Sequence, residues 1–79
     1  MTSAWYLAIM LQTNGVWRLS ETERALSEGL CITQAQNHWV KYWAAGAKDD
    51  KNMQLLCYDD SYKERIWVHC TKYGSCTIK

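Results

Sequence analysis

Proline and phenylalanine are both missing from this 79-residue chain, and glycine occurs only four times. No proline-rich linker, internal repeat or low-complexity segment divides it, so the length corresponds to one domain. Charge of a single sign is also missing. Nine Lys and Arg stand against eight Asp and Glu, interspersed as in Glu21, Glu23, Arg24, Glu28 and again in Lys48, Asp49, Asp50, Lys51. Such a mixed, solvated pattern gives no long-range field for steering nucleic acid or anionic lipid. The apolar run from Trp5 to Leu11 is too short to span a bilayer. No basic n-region precedes it, so the sequence reading expects no membrane and a cytoplasmic setting.

Motifs of chemistry are as scarce. Cys31, Cys57, Cys70 and Cys76 lack the C-x₂-C spacing of a zinc site. With no secretion signal, reduced thiols are expected, Cys57 and Cys70 acting as small buried hydrophobes. A Cys70–Cys76 disulfide is disfavoured, because a tight turn at Tyr73-Gly74 would set the two side chains on opposite faces. There is no G-x-S-x-G and no glycine-rich phosphate loop. Only His38 and His69 could serve a nucleophile, and His38 reads as a solvated helix histidine. The aspartate pairs Asp49-Asp50 and Asp59-Asp60 read as solubilising loop residues. The composition therefore predicts no enzyme, no metal and no cofactor; a small cysteine–histidine enzyme is the remotest alternative.

What the chain has in quantity is indole and phenol: five Trp and five Tyr. A chain this short buries only roughly 60–65% of the surface its unfolded form exposes. Each of these rings carries a polar atom that needs a partner when buried. Ten cannot all fit inside, so some are expected at the surface, where Trp and Tyr are favoured contact residues.

The pattern predicts an α+β fold: a small single-layer antiparallel sheet with one or two helices on one face. Ala4 to Gln12 alternates as an interior strand, with Trp5, Leu7, Ile9 and Leu11 on one side and Tyr6, Ala8 and Met10 on the other. Asn14-Gly15 marks a type I′ hairpin returning through Val16 to Leu19. Ser20 with Glu23 matches a helix capping box, and so does Thr33 with Gln36. Two helical pieces are preferred, the first ended by Gly29 and the second running to about Ala45 with Gly46 as its stop. The second presents Ala35, Trp39, Val40, Trp43 and Ala44 as an apolar stripe. Met53–Tyr58 and Arg65–Thr71 read as a hairpin, and Ser75–Ile78 as a short last strand. In that hairpin Cys57 should face Ile66, Leu55 should face Val68, and Met53 should face Cys70.

Two surfaces then compete as the functional site. One is the far side of the second hairpin, with Tyr58, Arg65, Trp67 and His69 beside Gln54 and Leu56. The other is the helix rim, with Tyr42, His38 and Lys41 and whichever of Trp39 and Trp43 is not fully covered. Both point to a protein partner, such as a large complex or enzyme, bound by surface contact. Single-stranded nucleic acid is the alternative, since rings flanked by cations can stack bases, but the near-neutral charge argues against it. A homodimer through a strand edge is a further option for so small a domain. By size and plainness alone, the chain is comparable to phage-encoded proteins that block host machinery, anti-CRISPR inhibitors among them. That is an analogy without a shared motif.

Overall fold

The computed structural model describes residues 4–79. It contains β1 (Trp5–Thr13), β2 (Val16–Ala25), α1 (Glu28–Ala44), β3 (Met53–Asp59), β4 (Arg65–Cys70) and β5 (Cys76–Ile78). The strands form one antiparallel sheet in the order β2-β1-β3-β4-β5, with α1 against one face. β2 and β3 run in the same direction with β1 between them. Strands so related cannot be joined by a tight turn, and α1 supplies the crossover.

The first hairpin forms as its turn residues require. Asn14 and Gly15 take φ of 53° and 79°, the left-handed pair of a type I′ turn. Beyond Leu19 the expectation of a helix fails. Ser20, Glu21, Thr22, Glu23 and Arg24 continue β2, and the register with β1 shifts between Ile9 and Met10 so that Ser20 is the extra residue of a bulge. The capping pattern at Ser20 is overridden because β1, already paired on its other side by β3, offers backbone partners to the whole of β2. The polar residues that suggested a helix are those of a solvated edge strand, where charges and a bulge discourage pairing with another sheet.

One helix replaces the expected two. Ser27 is its N-cap, accepting the Leu30 N–H at 3.2 Å. Thr33 is interior rather than a cap, and its hydroxyl donates to the Gly29 carbonyl at 3.0 Å. The helix stops where predicted, with Gly46 at φ 95° just beyond it. Its buried line is Cys31, Ala35 and Trp39, flanked by Ile32, Tyr42 and Trp43. Val40, placed in the apolar stripe from the sequence, is instead 64% exposed.

The core joins these side chains to Trp5, Leu7 and Ile9 of β1, Met53, Leu55 and Cys57 of β3, and Val68 and Cys70 of β4. The expected register holds, with Leu55 opposite Val68 and Cys57 opposite Ile66. Pairing of β3 with β4 ends at Leu55–Val68, so the expected pair of Met53 with Cys70 does not form. At the end of this ladder Trp39 donates its indole N–H to the Val68 carbonyl at 2.8 Å, and past it Trp43 donates to that of Cys70 at 2.9 Å. Trp67 exchanges both backbone bonds with Lys79 on the β5 side, so by alternation the carbonyls of Val68 and Cys70 point toward β3. Trp39 thus adds a second donor at the last pair of the ladder, and Trp43 takes the next carbonyl that β4 directs toward β3.

The expectation of reduced thiols is overturned, since the four cysteines form Cys31–Cys57 and Cys70–Cys76. The first ties the opening turn of α1 to the middle of β3. The second arises because the β4–β5 turn holds three residues rather than two: Thr71 N–H bonds the Ser75 carbonyl, and Gly74 adopts φ 89°. That one extra residue shifts the register so that Cys70 lies directly opposite Cys76, with Cα atoms 4.0 Å apart. Directly opposed residues share a face of the sheet, which removes the objection raised from the sequence.

Asp59 closes the β3–β4 connection. It is 8% exposed, and its carboxylate accepts from Ser61 Oγ at 2.9 Å and Glu64 N at 3.3 Å. Burial pushes its pKa up, but these hydrogen bonds, first that of Ser61, hold it net below the ordinary 3.8. A carboxylate depressed in the folded state stabilises the fold above its unfolded pKa. That contribution is lost as pH falls through the folded value. Asp59→Asn should therefore lower the urea midpoint at pH 7 while leaving a smaller fall between neutral pH and pH below 3.8 than in the parent. Equal acid sensitivity in both proteins would assign that sensitivity to other groups.

Candidate functional site

With α1 on one side, the other side of the sheet is open. Period-two alternation and the register assign its residues. Tyr6, Ala8, Met10 and Gln12 come from β1; Trp17, Leu19, Thr22 and Arg24 from β2; Gln54, Leu56 and Tyr58 from β3; Arg65, Trp67 and His69 from β4. Tyr58, Arg65, Trp67 and His69 are thus on one face, as expected from the sequence. Lys41 and Tyr42 belong to the opposite layer and do not join them. Tyr42 is packed edge-on against Trp39 and Trp43, and its hydroxyl donates to the Asp49 carbonyl at 2.8 Å. Burial, then the charge of Asp49, push its pKa above 10.0. It serves the core, and the helix rim keeps the exposed Lys41 beside the half-buried His38 and Trp43.

The open face is organised in rows across the strands. Arg24, Tyr6, Tyr58 and Arg65 form one row, each opposite the next. Thr22, Ala8, Leu56 and Trp67 form the row beside it. Tyr6 stacks on Tyr58 with ring centres 5.6 Å apart, and Tyr58 stacks on Tyr62 at 5.1 Å with planes 7° from parallel. Tyr62 reaches this position from the β3–β4 turn with φ 59°. Burial, then the adjacent Tyr62 phenol, push the Tyr58 pKa above 10.0, so it stays a neutral hydrogen-bonding group. Trp17 and Trp67 are 40% and 43% exposed, although a face covered by the fold itself would bury them.

Two small clefts adjoin Trp67. One, of about 230 Å³, is floored by Trp39 and Met53 and bordered by Gln54 and His69. The other, of about 150 Å³, lies among Trp67, His69, Thr77 and Lys79. His69 is held in place: its Nε2 is hydrogen-bonded to the Asp50 carboxylate, and its ring sits edge-on to Trp39 at 5.0 Å. A larger depression of about 730 Å³ runs between α1 and the β4–β5 turn beside Val40, Trp43 and the Cys70–Cys76 disulfide. Of the residues expected at a site from the sequence, Trp43 of the helix rim lines it, and none of those on the open face does.

His38 is not simply solvated. It bonds Glu23 of β2 at 3.0 Å, and with Glu21 the three place donor atoms within 4.8 Å of one another. One imidazole and two carboxylates are ligands that divalent cations accept, but Glu21 is exposed and His38 and Glu23 already satisfy each other. With all four sulfurs in disulfides, a cysteine–histidine nucleophile has no thiolate to draw on. Among the described residues no helix is long and apolar enough to cross a membrane.

Sequence reasoning missed Tyr6, Trp17, Leu19, Arg24 and Tyr62 as members of this face. Tyr6 was placed on the correct side of its own strand, but nothing local shows that β1 pairs with β3. Trp17 and Leu19 were recognised as strand residues, but Arg24 was hidden by the mistaken helix. No family model matches the chain, and neither a curated protein nor a solved structure does.

Proposed function

We propose that the protein is a binding module that docks another protein on the open face of its sheet. The observation that carries this reading is the pair of half-exposed tryptophans, Trp17 and Trp67, on a face that also bears Tyr6, Leu56 and Tyr58 partly shielded between polar rims. Trp, Tyr and Arg dominate the energetic centres of protein contacts, and the clefts beside Trp67 give a partner's side chains somewhere to enter. Inhibiting or bridging a larger assembly by steric contact is the mode of action such a face supports.

The geometry favours a protein over single-stranded nucleic acid. Base-stacking platforms leave ring faces free, whereas Tyr6, Tyr58 and Tyr62 stack on one another and occupy their own inner faces. The two disulfides favour an oxidising compartment over the cytosolic setting expected from the sequence, because small disulfide-bonded domains persist where thiols are not kept reduced.

Affinity capture from the native host, read by mass spectrometry, tests the reading when three baits are compared. Trp67→Ala should keep the far-UV spectrum and thermal midpoint of the parent yet lose the captured partner by roughly tenfold or more, as a centre-of-interface ring does. Tyr73→Ala, which removes an 87% exposed ring off this face, should capture as the parent does. Equal capture by the parent and Trp67→Ala would exclude the open face.

A further inference from the structure

The carboxylates are kept to one side of this sheet in a way the near-zero net charge conceals, while cations occur on both, Arg18 lying opposite Leu11 on the helix side. Glu21 and Glu23 lie on the helix side of β2, opposite Ile9 and Leu7. Asp59 lies on the helix side of β3, opposite the buried Trp5. Glu28 belongs to α1, and Asp49, Asp50, Asp60 and Glu64 belong to connections. Among the described strand positions, the open face therefore has no carboxylate. It has Arg24 and Arg65, and Lys79 beyond the end of β5, bonded through its backbone to Trp67. Asp50, the carboxylate that reaches the rim, is engaged by His69. Among the described residues neither Arg24, Arg65 nor Lys79 has a carboxylate within 4.0 Å; the ion pairs are His38–Glu23 and His69–Asp50.

Resting on the docking reading above, we propose that the open face recognises an acidic, extended protein segment. Its carboxylates would be taken by Arg24 and Arg65 at the two ends of the tyrosine row and by Lys79 beside Trp67. Arginine suits this because its planar fork can bind a carboxylate through two parallel hydrogen bonds. The row spans four neighbouring strands, so the two arginine backbones stand about 14 Å apart, three strand spacings. An extended chain covers that distance in about four residues. Two acidic residues four apart, with an aromatic or aliphatic side chain between them set against Tyr6 and Tyr58, would match the row. The charge complementarity is one-sided: a basic segment would meet unpaired cations and no acceptor carboxylate on the strands.

The test pans a displayed random-peptide library on the folded protein, then measures synthetic copies of the enriched peptides by fluorescence anisotropy, with oligo(dT) as a parallel probe. The expected result is enrichment of Asp and Glu, and binding weakened roughly tenfold by Arg65→Gln or Arg24→Gln and by raised salt. Thermal midpoints of the variants, measured alongside, should equal the parent's because both side chains are exposed. Neutral peptides that depend on Trp67 but ignore both arginines would overturn the acidic specificity and leave the docking face standing. Peptides that ignore Trp67→Ala as well, or no enriched peptide at all, would overturn both. Oligo(dT) binding more tightly than every peptide and lost in Arg65→Gln would assign the cations to nucleic acid instead.

Discussion

Trp39→Ala is expected to lower the unfolding free energy by about 3–5 kcal/mol, the range for truncating a buried large aromatic. For 79 residues the whole stability is on the order of 4–12 kcal/mol, so this one truncation removes at least about a quarter of it. Two losses combine at this position. The indole is 1% exposed and touches Tyr42, Trp43 and His69, so its removal leaves a cavity in the middle of the helix–sheet interface. Its N–H also donates to the Val68 carbonyl at the last pair of the β3–β4 ladder. Trp39→Phe separates the two, keeping most of the volume while removing the indole hydrogen bond to a carbonyl already paired with Leu55, at a cost of about 0.5–1.5 kcal/mol. Urea titration of the parent and both variants checks the ordering. If Trp39→Phe costs as much as Trp39→Ala, the hydrogen bond outweighs the packing; if it costs nothing, the indole N–H contributes nothing to stability.

Removing the Cys31–Cys57 link is the second large effect. The bridge spans 26 positions of sequence, and closing a loop of that length stabilises a fold by roughly 3–4 kcal/mol through the unfolded chain. In a domain this small that corresponds to a fall in the thermal midpoint on the order of 15–30 °C. The shorter Cys70–Cys76 link closes 6 positions and should contribute about 2 kcal/mol by the same reasoning. Its loss should loosen the β4–β5 hairpin while α1 stays on the sheet. Calorimetry of Cys31→Ala/Cys57→Ala and Cys70→Ala/Cys76→Ala double variants, with and without reductant, tests the order. Four free thiols by titration in the parent, with a midpoint indifferent to reductant, would remove both disulfides from the account.

These two effects sit on features of different legibility. The strands at Trp5–Thr13 and Met53–Asp59, the Asn14-Gly15 turn and the end of α1 follow from alternation and turn chemistry. Those are local properties, so the sequence displays them. So is the pairing of β3 with β4, because the connection is short enough for apolar alternation to set its register. The disulfides were not legible. Cys31–Cys57 depends on a crossover that brings α1 over β3, and Cys70–Cys76 on a single additional turn residue. The helix boundary failed at Ser20 and Thr33, whose capping patterns are cheap to satisfy locally and were outcompeted by sheet pairing and by the Ser27 cap.

The candidate site divides along the same line. Tyr58, Arg65, Trp67 and His69 were placed together because they alternate within one hairpin. The stack through Tyr6 and Tyr62, and the arginine at each end of it, required β1 to come between β2 and β3. By itself the chain determined its period-two strands, its hairpin turns and an excess of indole and phenol over what so small an interior encloses, all consequences of neighbours in sequence. Tertiary structure decided which strands adjoin, which sulfurs meet and which side of the sheet remains bare, because each depends on where α1 crosses, a choice no local stretch encodes.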